Sequence, residues 1–235
     1  MPIDPARPER QRGELRAVLF DLDGLLIDSE PIWFRVEERV LAELGGARPW
    51  RHEDQAACVG GTLPLTADYL RGLARMPVSN AEVQRRLLTG MAAALRGPVP
   101  LRPGALELLR ALGSDGVPCA LVSSSYRVLV DAALGTIGPE HFAISVAGDE
   151  VRRPKPDPEP YRTAARRLDV EPSACVVFED APAGVASAEA AGCVCVVVPD
   201  VVPVPQTPTR PVLGSLLDVE LDWLRRLPAL LAPVR

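Results

Sequence analysis

The chain has 235 residues, of which 47% are hydrophobic and only 4% aromatic, and its formal net charge is −5. This length suffices for one α/β core plus a smaller accessory domain, since single hydrophobic cores are typically built from roughly 100 to 200 residues. The acidic balance and the lack of a long Lys or Arg run argue against nucleic acid or an anionic membrane as partner, and favour a small molecule.

The first 13 residues carry three prolines among charged residues, which predicts a disordered or loosely attached tail. They lack the apolar centre of a signal peptide. No apolar run in the chain approaches the roughly 18 residues that span a bilayer. We therefore expect a cytoplasmic protein, and a monomer by default.

The first apolar segment, residues 16–20, ends abruptly at Asp21, and three similar segments follow it along the chain. Each has about five β-branched or apolar residues between Gly, Pro or acidic residues, which is typical of a fully buried strand. The later segments are 118–122, 174–178 and 193–198. Helical spacing at 105–112, 161–168 and 183–191 alternates with them and predicts an α/β fold with a doubly wound parallel sheet.

Residues 30–96 differ from the rest, because helical patterns such as 32–44 and 81–95 follow one another without a convincing strand. We predict a small all-helical domain there, inserted into a core made of residues 14–29 and 97–235. Near the C-terminus, a proline-rich stretch at 199–211 predicts a surface loop before a last helix near 215–227.

The five cysteines contain no C-x-x-C pair, and most stand within or beside valine-rich runs. We expect them to be small buried hydrophobic residues rather than metal ligands or disulfide partners.

Polar side chains follow three of the four predicted strands: Asp21 and Asp23 the first, Ser123 the second, Glu179 and Asp180 the third. Because the carboxyl ends of parallel strands meet at one edge of a sheet, these groups should converge. Several carboxylates so close together would repel unless a hard cation neutralised them, and magnesium is the ordinary partner of oxygen ligands. The sequence therefore predicts a magnesium site.

Carboxylates, a hydroxyl and the lysine Lys155 suit the transfer of a phosphoryl group, whose charge must be neutralised and whose oxygens must be held. Asp21, ionised at neutral pH, can attack without a base. Asp23, two residues on, can protonate the leaving oxygen and later activate water. Gly24 lets the chain turn sharply and brings backbone N–H groups near the phosphate.

Four motifs in this order resemble those of the haloacid dehalogenase superfamily, from about residue 16 to residue 227. They are FDLDGLLIDSE at 20–30, LVSS at 121–124, RPKPDP at 153–158 and FEDAPAG at 178–184. The helical insert then resembles the cap of the beta-phosphoglucomutase-like branch, which closes over the core and selects the substrate.

The resemblance also implies a role for each motif residue. Asp21 would be nucleophile and magnesium ligand, Asp23 would add its backbone carbonyl, Asp180 would be the remaining protein ligand, and Glu179 would act through a metal-bound water. The phosphate-binding group would comprise Ser123, Ser124, Lys155 and Gly24.

A sugar-phosphate mutase of the same branch is the main alternative enzyme. That reaction uses a His and an Arg in the cap, and our alignment places Trp33 and Leu63 at these positions, which favours hydrolysis. The run DSEPIW resembles sugar- and hexitol-phosphate phosphatases, although a nucleoside-like or other glycosyl phosphate stays open. Trp33, Thr62 and Tyr126 are candidate pocket residues.

Two further alternatives fit less well. A dehalogenase would lack Asp23. A receiver-like binding module, phosphorylated on an aspartate, would need neither Asp23 as acid and base nor a helical cap. The two histidines, His52 and His141, lie far from every motif, which argues against His-based hydrolysis.

Overall fold

The computed structural model describes residues 14–58 and 62–231, so the predicted tail at 1–13 lies outside the described residues. A single sheet of five parallel strands forms the centre, in the order β3-β2-β1-β4-β5. The strands are β1 (Ala17–Phe20), β2 (Cys119–Val122), β3 (Ile144–Val146), β4 (Cys175–Glu179) and β5 (Val194–Val197). The predicted doubly wound parallel sheet is confirmed.

Helices connect and cover these strands. Between β1 and β2 lie α1 (Glu30–Glu43), α2 (His52–Cys58), α3 (Leu63–Leu73), α4 (Asn80–Leu95) and α5 (Ala105–Ser114). The remaining helices are α6 (Arg127–Ile137), α7 (Glu159–Arg167), α8 (Pro182–Ala191) and α9 (Leu221–Leu230).

Alternate residues of each strand point to opposite faces of the sheet and build two cores. In β1, Val18 and Phe20 belong to one core, with α5, α6 and α9, and this core continues into the helices that follow β1. Ala17 and Leu19 belong to the other core, with α7 and α8. Because both faces are covered, the strands other than β3 are continuous apolar runs, which is why those four could be recognised in the sequence.

The helical segment from α1 to α4 leaves and rejoins the sheet region through two antiparallel connections. The backbone N–H of Asp28 donates to the carbonyl of Pro100 at 2.9 Å, and that of Arg102 donates to the carbonyl of Leu26 at 2.9 Å. The two connections therefore hold each other at the point where the helical segment begins and ends.

Two predictions about elements need correction. Strand β3 was not predicted, because this edge strand has only three residues and just Val146 is fully buried, so it lacks a long apolar run. The predicted last helix at 215–227 is interrupted: a short 3-10 turn, Leu216–Asp218, is capped by Ser215, and α9 starts only at Leu221.

Among the described residues, no helix is both long and apolar enough to cross a membrane. All five cysteines are free thiols; four are buried and Cys58 is half-buried. This agrees with the prediction that they are hydrophobic packing residues.

Asp54 joins three parts of the helical segment. Its carboxylate accepts two hydrogen bonds from Arg48, at 2.6 and 2.5 Å, one from the Tyr69 hydroxyl at 2.8 Å and one from the Arg51 amide at 2.9 Å. Asp54 is only 2% exposed. The hydrogen bonds from Arg48, foremost, lower the pKa of Asp54 despite its burial.

Asp54→Asn is expected to destabilise the protein by about 1 to 2 kcal/mol at neutral pH, since it removes the charged acceptor of the hydrogen bonds from Arg48, Tyr69 and the Arg51 amide. A lowered folded pKa contributes stability above the unfolded value of about 3.9, and this contribution is lost as the pH falls towards the folded value. Urea unfolding at pH 7 and below pH 4 should therefore show the difference from wild type shrinking in acid. Glu53→Gln, on the exposed neighbour, is the control; an equal loss of stability in both variants would contradict the assignment.

Candidate active site

The site forms where β1 ends. Asp21 follows the last residue of β1 and is 7% exposed, and its backbone N–H donates to the carbonyl of Phe178 on β4. The chain turns at Gly24, whose φ is +83°, and the Gly24 amide donates to Ile27 at 3.0 Å. A Cβ on Gly24 would collide with the carboxylate of Asp180. Gly24 therefore provides both the left-handed turn and the space that Asp180 occupies.

Lys155 lies between two of the carboxylates. Its Nζ donates to Asp21 Oδ1 at 2.5 Å, to Glu179 Oε1 at 2.6 Å and to the carbonyl of Val122 at 2.8 Å. The side chain is 4% exposed. Burial lowers the pKa of Lys155, but the charges of Asp21 and Glu179 outweigh it and raise the pKa, so the ammonium stays charged.

Glu179 is fixed by a second donor that the sequence did not indicate. The hydroxyl of the fully buried Tyr161, on α7, donates to Glu179 Oε1. The Lys155 ammonium lies 4.9 Å from the centre of the Tyr161 ring. Gly184, in the first turn of α8, leaves room for the Glu179 carboxylate, because a Cβ there would overlap it. The close contact explains why glycine suits this position of the fourth motif.

Carboxylate oxygens of Asp21, Glu179 and Asp180 lie within 4.8 Å of one another, a group that could hold a metal ion. Burial raises the pKa of Asp21 to about 8. The positive charge of Lys155 opposes this rise, and the negative charge of Glu179 adds to it. Burial, with the charges of Asp21 and Glu179, raises the pKa of Asp180 to about 9. A single ammonium lies against this group of three carboxylates, and an oxygen-only set of this kind fits a hard divalent cation.

The Asp23 carboxylate lies next to two serines. The Ser125 hydroxyl donates to Asp23 Oδ2 at 2.8 Å, and the Ser123 hydroxyl lies 3.4 Å from the same oxygen. Ser123 Oγ also accepts the Ser125 amide at 2.9 Å. These hydrogen bonds orient the Asp23 carboxylate at the carboxyl edge of the sheet. Asp23 is half-buried.

A chamber of about 510 Å³ lies between this edge of the sheet and the helical segment. Asp23, Ser124 and Lys155 line its floor, and the predicted pocket residues Trp33, Thr62 and Tyr126 all line it as well. Its lining, as far as the structure describes it, is Asp23, Glu30, Trp33, Glu37, Gln55, Cys58, Thr62, Leu63, Pro64, Thr66, Leu88, Ser124, Ser125, Tyr126, Leu129, Gly148, Pro154, Lys155 and Ala183. The chamber is large enough for a small organic molecule.

The structure brings the predicted site residues together at one edge of the sheet. Among them, Ser124 is solvent-exposed and lies on the loop after β2. Sequence reasoning missed Ser125 and Tyr161. Ser125 could have been suspected as the third hydroxyl of the SSS run, whereas Tyr161 looks in the sequence like an ordinary core position of a helix.

Comparison with known proteins is consistent with this site. The chain is 36% identical over 197 residues to validoxylamine A 7'-phosphate phosphatase of Streptomyces hygroscopicus subsp. limoneus, covering 77% of this chain and 84% of the relative. It is 33% identical over 222 residues to hexitol phosphatase B of Escherichia coli (strain K12), covering 92% and 96%. The crystal structure of CbbY from Rhodobacter sphaeroides in complex with phosphate matches with a TM-score of 0.77 and 29% identity, covering 87% of this chain and 96% of CbbY.

A family model provides the remaining comparison, matching residues 15–192 as a haloacid dehalogenase-like hydrolase. That range includes all four motifs singled out in the sequence. The chain therefore belongs to the haloacid dehalogenase-like hydrolase family, as its motifs predicted, and is one of the phosphatases of that family.

Proposed function

We propose that this protein is a magnesium-dependent phosphomonoester hydrolase that acts on a small phosphorylated sugar, polyol or glycosyl compound through a phospho-aspartyl intermediate on Asp21. The observation that carries the proposal is the position of Asp21. Its carboxylate is buried against the Lys155 ammonium at 2.5 Å, beside two further carboxylates, and Lys155 and Asp23 line a chamber of substrate size. The names of the phosphatase relatives support the substrate class.

Asp21, Asp180 and Glu179 would hold the magnesium ion, together with the backbone carbonyl of Asp23. When bound, the ion supplies positive charge that keeps Asp21 ionised and balances the phosphate oxygens. Lys155 and Tyr161 both bind Oε1 of Glu179. Because that oxygen is already shared by two donors, we assign Glu179 an indirect role, through a water.

Asp21 performs the substitution at phosphorus. One of its carboxylate oxygens attacks in line, a new P–O bond forms to Asp21, and the P–O bond to the leaving group breaks. Lys155, Ser123 and Ser124 hold the phosphoryl oxygens, next to the turn at Gly24. Lys155 also holds Asp21 in place, since its Nζ is itself fixed by a hydrogen bond to the carbonyl of Val122.

Asp23 moves the protons. As the leaving oxygen departs it takes the proton of the Asp23 carboxyl group. The resulting carboxylate then accepts a proton from the water that attacks the phospho-aspartate and restores Asp21. The hydrogen bond from Ser125 at 2.8 Å keeps Oδ2 of Asp23 in one orientation for both steps.

The helical segment 30–96 is the proposed cap. It starts and ends at the paired connections next to the site, so a small rotation there would open or close the chamber over Asp21 and Asp23. Closure would exclude bulk water during formation of the intermediate.

The proposal predicts magnesium-dependent phosphate release from at least one compound in a panel of sugar, polyol, nucleoside and glycosyl phosphates. EDTA should stop the release and added magnesium should restore it. Asp180→Asn should raise the magnesium concentration needed for half-maximal rate by roughly tenfold or more, since a charged ligand is lost. Conversion of a sugar 1-phosphate to its isomer without phosphate release would replace the proposal by the mutase alternative, and a lack of either reaction would favour the binding module.

A further inference from the structure

Tyr161 is a buried polar side chain to which the proposed reaction assigns no step. It is the third residue of α7, it is fully buried, and its hydroxyl donates to Oε1 of Glu179. Tyr161 belongs to the apolar core on its face of the sheet. A hydroxyl in an apolar core costs free energy unless it is hydrogen-bonded, so a phenylalanine would serve packing alone equally well. The hydroxyl therefore points to a role at Glu179.

The Tyr161 hydroxyl can act only as a hydrogen-bond donor. Burial, and after it the negative charges of Glu179 and Asp21, raise the pKa of Tyr161 well above its usual value, so the phenol keeps its proton. Tyr161 is also absent from the chamber lining in the part of the chain that the structure describes. Any effect of Tyr161 on the reaction must therefore pass through the groups that it contacts.

Tyr161 contacts both members of one ion pair. Lys155 Nζ donates at 2.6 Å to Glu179 Oε1, the same oxygen that accepts the Tyr161 hydroxyl. The ammonium also lies 4.9 Å from the centre of the Tyr161 ring, within the range of a cation–π contact. The hydroxyl thus binds the anion, and the ring faces the cation. Because Lys155 also donates to Asp21 at 2.5 Å, this pair is connected to the proposed nucleophile.

The first turn of α7 is held against the loop that carries Lys155. The carboxylate of Glu159 accepts the backbone amides of Arg152 at 3.0 Å and of Arg153 at 3.2 Å. Glu159 and Tyr161 stand two residues apart in this turn. The loop and the helix therefore position Lys155 and Tyr161 together, and the Tyr161 hydroxyl has little freedom to leave Glu179.

The orientation of the Glu179 carboxylate matters because of the groups around it. Together with the oxygens of Asp21 and Asp180, it belongs to the cluster that could hold a metal ion. Lys155 and Tyr161 both bind Oε1, and two donors fix the rotation of a carboxylate, whereas a single donor leaves it able to turn. Removing a residue that orients a group beside a metal ion, without touching the ion, typically weakens metal binding by roughly 10- to 100-fold.

We propose that Tyr161 is a positioning residue for the magnesium ion: its hydroxyl holds the Glu179 carboxylate in the orientation that supports ion binding beside Asp21 and Asp180. This inference rests on the proposed function and adds to it a residue outside the four motifs. Tyr161 needs no contact with the ion or with the substrate for this role. Loss of the hydroxyl weakens magnesium binding and leaves the fold intact.

The test is the dissociation constant of magnesium, measured by calorimetric titration of the full-length protein without substrate. Tyr161→Phe removes the hydroxyl and keeps the ring beside Lys155. We expect the dissociation constant to rise by roughly tenfold. Tyr69→Phe is the matched control, because it also removes a hydroxyl that donates to a buried carboxylate, that of Asp54 at 2.8 Å, but between α2 and α3. Tyr69→Phe should leave magnesium binding unchanged.

A double-mutant cycle with Glu179→Gln tests the route of the effect. Glu179→Gln keeps the size of the side chain and removes the charge that Tyr161 orients. Adding Tyr161→Phe to Glu179→Gln should then change the dissociation constant by roughly twofold or less, far below its effect in the wild-type background. A purely structural contribution of Tyr161 would be the same in both backgrounds. If the melting curve shows that Glu179→Gln does not fold, the comparison of Tyr161→Phe with Tyr69→Phe decides alone.

Unchanged magnesium affinity in Tyr161→Phe would overturn the inference and leave the phosphatase intact. An equal loss of affinity in Tyr69→Phe, or an undiminished effect of Tyr161→Phe in the Glu179→Gln background, would do the same. If the wild-type protein binds no magnesium, or hydrolyses no member of the phosphate panel with it, the proposed function itself fails and this inference fails with it.

Discussion

Asp21→Asn should remove turnover of every phosphate ester, by roughly 10⁴-fold or more, because the attacking oxygen of the reaction is lost. The variant should also fold. Asp21 is one of three clustered carboxylates, and it shares the Lys155 ammonium with Glu179, so removing its charge relieves repulsion while the amide oxygen still accepts from Lys155. We expect its melting temperature without magnesium to equal or exceed that of the wild type.

Phosphate release and the mass of the intact protein after exposure to acetyl phosphate measure this directly. The wild type should transiently gain the mass of one phosphoryl group, and Asp21→Asn should not. Substantial magnesium-dependent turnover in a freshly prepared variant would exclude Asp21 as the nucleophile. A dead variant that is also unfolded would be uninformative about chemistry, which is why the melting curve belongs to the experiment.

Asp23→Asn should slow the hydrolysis of alkyl phosphates by about 10² to 10⁴, the usual contribution of a general acid and base. The loss should depend on the leaving group. An alkoxide needs a proton as it departs, whereas p-nitrophenolate leaves without one, so formation of the intermediate from p-nitrophenyl phosphate should be much less impaired. Its breakdown still needs Asp23 to activate water.

The phosphorylated form should therefore accumulate in Asp23→Asn during turnover of p-nitrophenyl phosphate, detected as a burst of p-nitrophenol and as added protein mass. Ser125→Ala provides a graded comparison. It removes the 2.8 Å hydrogen bond that orients Asp23 but keeps the carboxylate, so its effect should be in the same direction and smaller. An identical slowing for alkyl and aryl phosphates in Asp23→Asn, without accumulation, would contradict the acid and base assignment.

Several parts of the fold could be predicted because they depend on local patterns. Strands β1, β2, β4 and β5 are buried on both faces, so each reads as a largely continuous apolar run. Polar residues stand at the carboxyl ends of β1, β2 and β4, which meet at the edge of the sheet where the site lies. The helical segment could be recognised because helical spacing repeats there without a strand. Strand β3 could not be predicted, because an edge strand of three partly buried residues is too short to form a recognisable apolar run.

Some residues of the candidate site could be predicted from local sequence patterns, and others could not. Asp21, Asp23 and Asp180 could be predicted from spacing and motif, because their side chains follow strand ends directly. Tyr161 could not, because its partner Glu179 is 18 residues away on another element. Nothing in the sequence around Glu37 distinguishes it from the exposed Glu38 beside it; only the packing of α1 buries one and exposes the other.

The sequence by itself determined the class of the protein: the alternation of four strands with helices, the carboxylates at the strand ends and the four motifs of a haloacid dehalogenase-like hydrolase. The tertiary structure decided which charges share a partner and which have none. Lys155 meets Asp21 across 134 residues of chain, and Glu37 and Trp50 each keep a buried polar atom that makes no hydrogen bond within the part of the chain that the structure describes. Hydrogen bonding and desolvation act through space at a few ångströms, so they depend on distances that only the folded chain defines.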